Sequence, residues 1–189
     1  MMYTVEQIVQ AISTLGPVEK KRLWRELSAL EKPQGETTQH TTEKAKLDGE
    51  PDYVLIFDGG SKGNPGAGYG SYALSRRSAG VGSRRVYEHP HRLEFEDEVT
   101  NNEAEYDTLI AALESLLREM AARGEDPAQH TLEVRGDSRL VMQQLQGYWK
   151  AKEERMRERR NRALKLLRRF GDFRLKEVPR SESVSVLGH

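Results

Sequence analysis

A run of five apolar residues, at positions 53–57, constrains the fold more than any other feature of the sequence. It reads Tyr-Val-Leu-Ile-Phe and ends at Asp58. Because the apolar residues do not alternate with polar ones, the run predicts a central β-strand that is covered on both faces. The domain that contains it therefore needs helices packed on a sheet.

The segments that follow predict more strands and helices in a mixed order. The predicted strands lie at residues 69–77, between 84 and 95, at 131–135 and at 173–178, and the predicted helices at 101–122, 138–145 and 149–169. No helix is predicted after the last strand. Strands that come first as a group and then alternate with helices predict an α/β fold, with a mixed five-stranded sheet flanked by helices.

The first 51 residues are predicted to lie outside this domain. Residues 1–31 have apolar positions at helical spacing and predict a small helical appendage, and residues 32–51 have the polar composition of a flexible linker. The main domain then spans residues 52–189. The appendage lacks a basic or aromatic surface, so nucleic-acid binding is not expected there, and a protein partner or self-association through its helices is left open.

Composition limits the classes of site and the compartment. The absence of cysteine excludes disulfides and thiolate metal sites, so any metal must bind oxygen or nitrogen ligands. No apolar run approaches the roughly 18 residues needed to span a bilayer, and the N-terminus lacks a signal-peptide pattern. A cytoplasmic protein without membrane association is therefore expected.

The net charge of zero conceals two oppositely charged segments. Residues 148–180 hold 13 Lys or Arg and 5 Asp or Glu, a net charge of +8, whereas residues 52–147 hold 10 and 16, a net charge of −6. An acidic body beside a basic segment suits a protein that collects divalent cations at one place and binds a polyanion at another.

Three acidic residues lie where predicted elements meet loops. Asp58 ends the first strand, Glu105 lies in the first turns of the long helix, and Asp137 follows the fourth strand. Each alone has an ordinary role available, as a turn residue, a partner of the helix dipole or a helix cap. Helical spacing, however, places Glu105 on the inward face with Leu109 and Leu116. A carboxylate that points at a buried strand ending in another acid is costly unless a cation neutralises both.

Oxygen ligands without thiolates suit Mg²⁺ or Mn²⁺. Two such ions about 4 Å apart activate a water and stabilise the leaving oxygen in phosphodiester cleavage. The three carboxylates therefore predict a two-metal nuclease site, with Asp58, Glu105 and Asp137 as catalytic residues and metal ligands.

Three motifs resemble those of type 1 ribonucleases H, in the family's order and at its approximate spacing. They are residues 57–68, Phe-Asp-Gly-Gly-Ser-Lys-Gly-Asn-Pro-Gly-Ala-Gly; residues 100–106, Thr-Asn-Asn-Glu-Ala-Glu-Tyr; and Gly136-Asp137-Ser138 followed by Leu140-Val141. The resemblance covers about residues 52–180. It implies a ribonuclease H-like fold and an endonuclease that hydrolyses the RNA strand of RNA–DNA hybrids, leaving 5′-phosphate and 3′-hydroxyl ends.

The resemblance also implies residues that bind the hybrid. Asn64 would lie at the tip of a glycine loop that approaches the minor groove, with Gly60 and Ser61 beside it. Asn101 would hold the strands near the site, and Asn102 would contact bases or ribose. The alternative for these asparagines is a role in turns and helix caps.

The segment at residues 149–169 occupies the place where some family members carry a basic protrusion that grips the DNA strand. The candidates are Trp149, with Tyr148 as further stacking surface, and the basic residues Lys150, Lys152, Arg155, Arg157, Arg159, Arg160 and Arg162. A charge-rich helix can also be only a solvated surface, but the excess of one sign favours nucleic-acid contact.

The match fails at the fourth acidic ligand, which the family carries shortly after the last strand. Here Pro179-Arg180-Ser181-Glu182 begins in the family's style, and the chain ends at His189 without an Asp. Glu182 is the remaining acid and lies early for the role. His189 lies at about the right distance, and an imidazole can ligate Mn²⁺ or, less readily, Mg²⁺. Because some nucleases of this fold carry a His at the corresponding point, the resemblance makes His189 the predicted fourth catalytic ligand. The alternative is a frayed tail without a role.

Two other functions stay open at this stage. A ribonuclease H fold that has lost turnover and only binds hybrids or structured nucleic acid would explain the missing fourth acid. The three intact acids argue against it, because buried carboxylates without a function destabilise a fold. A junction resolvase of the same fold is the second alternative, and Asn64 with Asn101 and Asn102 favours hybrid recognition instead.

Overall fold

A computed structural model describes residues 49–77 and 86–188, together with Thr14, Gly16 and Glu19. Nearly all of the predicted appendage and linker, and His189, lie outside the described residues. The appendage, its protein contacts and the domain boundaries therefore stay predictions. No helix in the described part of the chain is long and apolar enough to cross a membrane.

The domain is built on one mixed five-stranded sheet, as predicted. Its strands are β1 (Tyr53–Gly63), β2 (Gly66–Arg76), β3 (His91–Val99), β4 (Thr131–Gly136) and β5 (Asp172–Glu177), in the spatial order β3-β2-β1-β4-β5. The first three strands pair antiparallel, and β4 pairs in parallel with both β1 and β5. The central position of β1 explains its apolar run, since residues 53–57 are all buried.

Four α-helices and a short 3-10 helix (Pro127–Gln129) complete the described fold; the α-helices are α1 (Asn101–Ala122), α2 (Arg139–Gln146), α3 (Glu154–Leu167) and α4 (Arg180–Leu187). The helix α1 packs on alternate residues of β1, among them Leu55 and Phe57, and α2 and α3 pack against α1 to complete the main core. The last helix buries Leu187 against Ile56 and Ala73, whose side chains point the opposite way from Leu55. The sheet is therefore covered on both faces.

Four element predictions need correction. The structure has a helix after the last strand, where none was predicted, because burial of Leu187 supplies packing that the sequence alone does not show. The basic helix begins at Glu154, so residues 149–153 precede it. The third strand lies at His91–Val99, later than expected. The first strand continues to Gly63 because β2 pairs with it along the whole glycine-rich segment.

The last correction changes the position of Asp58. Antiparallel pairing with β2 continues beyond Asp58, whereas parallel pairing with β4 stops at Phe57 and Gly136. Asp58 thus lies inside β1 but at the point where its neighbour β4 ends and Asp137 begins the next connection. Gly59 lets α1 approach this point, since a Cβ there would lie 2.6 Å from the Ala104 carbonyl oxygen.

The start of α1 is fixed by Glu103, which is 2% exposed. Thr100 and Glu103 form a capping box, in which the Thr100 amide donates to Glu103 Oε2 at 2.9 Å. The guanidinium groups of Arg155 and Arg159, both on α3, lie 3.3 and 3.4 Å from Glu103 Oε1. Burial by itself raises the pKa of Glu103, but the Thr100 hydrogen bonds and the arginine charges outweigh it and leave the pKa below its usual value.

We expect Glu103→Gln to lower the free energy of unfolding by about 2 kcal/mol at pH 7, because it weakens the cap and removes the buried carboxylate that pairs with Arg155 and Arg159. Urea unfolding measures this loss. Glu114→Gln is the matched control on the same helix, since its pair with Arg162 is solvent-exposed and contributes below about 0.5 kcal/mol. Equal losses in the two variants would contradict the anchoring role of Glu103.

Candidate active site

Three elements bring Asp58, Glu105 and Asp137 together. Asp58 comes from β1, Glu105 from the second turn of α1, and Asp137 from the connection after β4. Each side chain offers a carboxylate oxygen, and these oxygens all lie within 4.8 Å of one another. In the described part of the chain, this acidic cluster is the one group of three His, Asp or Glu side chains so placed.

Burial and mutual repulsion shape the electrostatics of the acidic cluster. Asp58 is 4% exposed and Glu105 is 7% exposed. Burial raises the pKa of Glu105 well above its usual value, and the charges of Asp58 and Asp137 raise it further. The Arg180 charge and a hydrogen bond from the Gly59 amide act in the opposite direction without offsetting the rise. Burial and the Asp58 charge also raise the pKa of Asp137.

One carboxylate oxygen of the acidic cluster, Glu105 Oε2, is buried and has no hydrogen-bond partner among the described residues. A buried carboxylate oxygen without a partner is costly, because burial removes its water and nothing replaces it. Together with the close approach of the three carboxylates and the all-oxygen donor set, this atom fits a site for hard divalent cations.

Arg180 lies beside the acidic cluster, and sequence reasoning did not assign it to the site. Its Nη1 lies 3.5 Å from Asp58 Oδ2 and 3.3 Å from Asp137 Oδ2. It is the first residue of α4, and that helix was not predicted. The Pro179-Arg180 pair is the sequence signal that could have placed Arg180 at the site, but the pair was interpreted only as the start of the incomplete fourth motif.

The two candidates for the fourth ligand have different outcomes. Glu182 belongs to α4, but its Oε1 accepts a hydrogen bond from Arg135 Nη1 at 2.8 Å, and it is not part of the acidic cluster. His189 lies outside the described residues, so its role stays a prediction.

The predicted hybrid-binding residues of β1 and α1 form a hydrogen-bonded group at the β1–β2 hairpin. The side-chain oxygen of Asn101 accepts from the Ser61 amide at 2.9 Å and from the Ser61 hydroxyl at 3.0 Å. The backbone amide of Asn101 in turn donates a hydrogen bond to Asn64 Oδ1 at 3.1 Å. Gly60 lies between Asp58 and this group. The hairpin tip is therefore attached to the start of α1, four residues before Glu105.

A groove of about 730 Å³ joins the remaining predicted residues. Its lining includes Asn64, Asn102, Tyr148, Trp149, Lys150 and Lys152. The Arg139 guanidinium lies 5.7 Å from the centre of the Trp149 ring, which is partly exposed. The groove thus combines amide groups, an aromatic face and two ammonium groups, which is a surface typical of nucleic-acid binding.

Most arginines of the basic segment contact this protein's own groups. Besides the pairs with Glu103, Arg159 Nε lies 2.9 Å from Asp107 Oδ1, and Arg162 Nη2 lies 2.7 Å from Glu114 Oε1. Arg160 and Arg157 donate to backbone carbonyls. The sequence carries a signal for this packing, because acidic residues recur at helical spacing within 103–114 and arginines recur at helical spacing within 155–162. The prediction of a nucleic-acid-binding helix did not take this signal into account.

Comparison with known proteins finds similar chains. No protein-family model matches. The chain is 38% identical over 125 residues to ribonuclease HI of Halobacterium salinarum, covering 66% of this chain and 55% of the relative. It is 32% identical over 131 residues to the bifunctional protein Rv2228c of Mycobacterium tuberculosis, covering 69% and 32%. The chain thus spans about half, or less, of the length of these curated relatives.

Two solved structures are also similar. The crystal structure of ribonuclease H1 from Halobacterium salinarum matches at 37% identity and a TM-score of 0.54, over 69% of this chain and 88% of that one. The crystal structure of LC11 ribonuclease H1 in complex with an RNA/DNA hybrid matches at 27% identity and a TM-score of 0.58, over 71% and 90%.

Proposed function

Because the chain belongs to the type 1 ribonuclease H family, we propose that it is an endonuclease that hydrolyses the RNA strand of RNA–DNA hybrids. The acidic cluster carries this proposal. Three carboxylates from separate elements meet at the point where β4 ends, and one buried oxygen among them has no hydrogen-bond partner within the described residues. A fold keeps such an arrangement only at a cost to stability, so a catalytic use explains it best.

The cluster would hold two Mg²⁺ or Mn²⁺ ions. Asp58 would be shared between them, with Asp137 completing one site and Glu105 the other, and His189 would assist Asp137. When bound, such ions supply activation of a water for in-line attack and stabilisation of the leaving 3′-oxygen, which gives 5′-phosphate and 3′-hydroxyl ends. The protein's own contribution is to hold the carboxylates aligned on rigid elements.

The groove would hold the hybrid next to the cluster. Lys150 and Lys152 would neutralise backbone phosphates, and Trp149 would offer a face for a base or sugar. The asparagines of the hairpin and of α1 would contact the minor groove, where the 2′-hydroxyl distinguishes RNA from DNA. The similarity to LC11 ribonuclease H1, which was solved with an RNA/DNA hybrid, supports this substrate.

A module that binds hybrids without cleaving them is the second candidate. Two observations favour it: Glu182 pairs with Arg135 instead of joining the acidic cluster, and Arg180 already contacts two of the three carboxylates. The intact trio and the free Glu105 oxygen favour the enzyme.

Cleavage of labelled substrates by the native chain decides between these functions. We expect cutting of the RNA strand of a hybrid in the presence of Mg²⁺ or Mn²⁺, no cutting in EDTA, and no cutting of double-stranded RNA, double-stranded DNA or a four-way junction. Tight hybrid binding without cleavage under either metal would establish the binding module instead. Cleavage of the junction in preference to the hybrid would establish a resolvase.

A further inference from the structure

Arg180 lies beside two of the three carboxylates of the acidic cluster. Its Nη1 lies between Asp58 Oδ2 and Asp137 Oδ2, at 3.5 and 3.3 Å, so one nitrogen serves two carboxylates. Three carboxylates this close repel one another strongly away from water, and a positive group between them relieves that repulsion. We infer that Arg180 is a built-in counter-cation of the acidic cluster, which a divalent metal must displace in order to bind.

The position of Arg180 is fixed by contacts elsewhere on α4. At the end of the helix, Leu187 is buried against Ile56 and Ala73 of the sheet. Near its start, Glu182 accepts a hydrogen bond from Arg135 of β4 at 2.8 Å. Because both ends of α4 are attached to the sheet, the first residue of the helix is held beside the acidic cluster, within reach of its carboxylates.

The contact of Arg180 with the two carboxylates is weak enough for a divalent cation to replace it. Both distances exceed the 2.7–2.9 Å that is typical of a strong charge-assisted hydrogen bond, and the Arg180 side chain is 65% exposed. A pair of that kind contributes little net free energy, so it does not block the site permanently. A divalent cation carries twice the charge and approaches carboxylate oxygens to about 2.1 Å, so it competes effectively for the same oxygens.

Competition of this kind has a measurable consequence. If the guanidinium holds the acidic cluster in most metal-free molecules, the apparent metal affinity is reduced by the fraction of molecules in which the cluster is free. Removing the guanidinium therefore increases the affinity for metal, and at the same time it leaves the metal-free carboxylates without their counter-charge. Removal of the guanidinium thus favours the metal-bound protein and destabilises the metal-free protein. Removal of an ordinary surface residue would produce neither effect.

The inference rests on the proposed metal site, and its test uses metal binding by the full chain without nucleic acid. Mn²⁺ is titrated, and free Mn²⁺ is followed by electron paramagnetic resonance, for the native chain, Arg180→Ala, Arg180→Lys, Lys176→Ala and Asp58→Asn. Lys176 is an exposed residue of β5, and its removal changes the net charge by the same amount. Melting temperatures in EDTA and in Mn²⁺ are measured for the same five proteins.

We expect Arg180→Ala to bind Mn²⁺ on the order of threefold to tenfold more tightly than the native chain. Arg180→Ala should also melt at a lower temperature in EDTA and gain more from Mn²⁺. Arg180→Lys should keep the native Mn²⁺ affinity and melting temperatures, because it retains the positive charge beside the acidic cluster. Lys176→Ala should keep them too, because it removes a positive charge elsewhere.

Unchanged or weaker Mn²⁺ binding by Arg180→Ala, with binding abolished by Asp58→Asn, overturns the role of Arg180 and leaves the metal site intact. If Lys176→Ala binds Mn²⁺ as tightly as Arg180→Ala does, the role of Arg180 is also overturned, since the loss of one positive charge at another place then explains the tighter binding. Absence of Mn²⁺ binding by every variant and by the native chain overturns the metal site and the competition together. Hybrid cleavage is not needed for any of these outcomes.

Discussion

Asp58→Asn is expected to reduce the rate of hybrid cleavage by on the order of 10³-fold, which corresponds to about 4 kcal/mol of transition-state stabilisation. The substitution keeps the shape of the side chain and removes its charge. Asp58 interacts with both other members of the acidic cluster, since its charge contributes to the rise in pKa of Glu105 and of Asp137. Its loss therefore weakens both of the proposed cation sites at once.

Hybrid binding should survive this substitution, because the groove that carries Trp149 and Lys152 is formed by other residues. Single-turnover cleavage in Mg²⁺ and in Mn²⁺ measures the chemical step, and fluorescence anisotropy in EDTA measures hybrid binding. Asp97→Asn, on the exposed part of β3, makes the same chemical change away from the acidic cluster and should keep the native rate. A rate for Asp58→Asn within tenfold of the native rate would contradict the assignment of Asp58.

The parts of the fold that local patterns determine were predictable from the sequence. The apolar run at residues 53–57 identified the central strand, and the structure confirms α1 at its predicted bounds. Thr100 and Glu103 explain the sharp start of that helix through their capping box. The three acids were identified because each lies beside the end of a predicted element, and topology brings those places together.

The parts that depend on tertiary contacts were not predictable. The helix α4 has the sequence Arg-Ser-Glu-Ser-Val-Ser-Val-Leu, and serine and valine are weak helix formers. Its stability comes from packing of Leu187 and from the Glu182–Arg135 pair, and neither is visible in the local sequence. For the same reason the contact of Arg180 with the acidic cluster, which depends on α4, could not be predicted.

Two buried glutamates show that the neighbouring groups determine whether an ionised carboxylate stabilises or destabilises the fold. Glu105 is 7% exposed and Glu133 is 2% exposed. Burial raises the pKa of Glu133, but hydrogen bonds and charges from Arg135 and Arg174 outweigh burial and leave that pKa below its usual value. Glu105 has two carboxylates as neighbours instead, and its pKa is raised. Ionised Glu133 therefore stabilises the fold, whereas ionised Glu105 destabilises the metal-free fold.

We expect Glu105→Gln to increase the free energy of unfolding in EDTA at pH 7 by at least about 1 kcal/mol, while it strongly reduces metal-dependent cleavage. A raised pKa in the folded state means that the contribution of Glu105 to stability is complete below the usual carboxyl pKa and is lost as pH rises through the folded-state value. The advantage of Glu105→Gln over the native chain should thus grow with pH from about 4.5 upward.

Urea unfolding in EDTA at a series of pH values measures this difference, with Glu133→Gln as the matched control. Because the pKa of Glu133 is lowered, Glu133→Gln should be less stable than the native chain at pH 7, and its deficit should shrink as pH falls below the usual carboxyl pKa. Addition of Mn²⁺ should stabilise the native chain more than Glu105→Gln, since only the native chain keeps the complete acidic cluster. If Glu105→Gln lost stability in EDTA as Glu133→Gln does, Glu105 would be an ordinary structural residue, and the case for a metal site at the acidic cluster would lose its main physical argument.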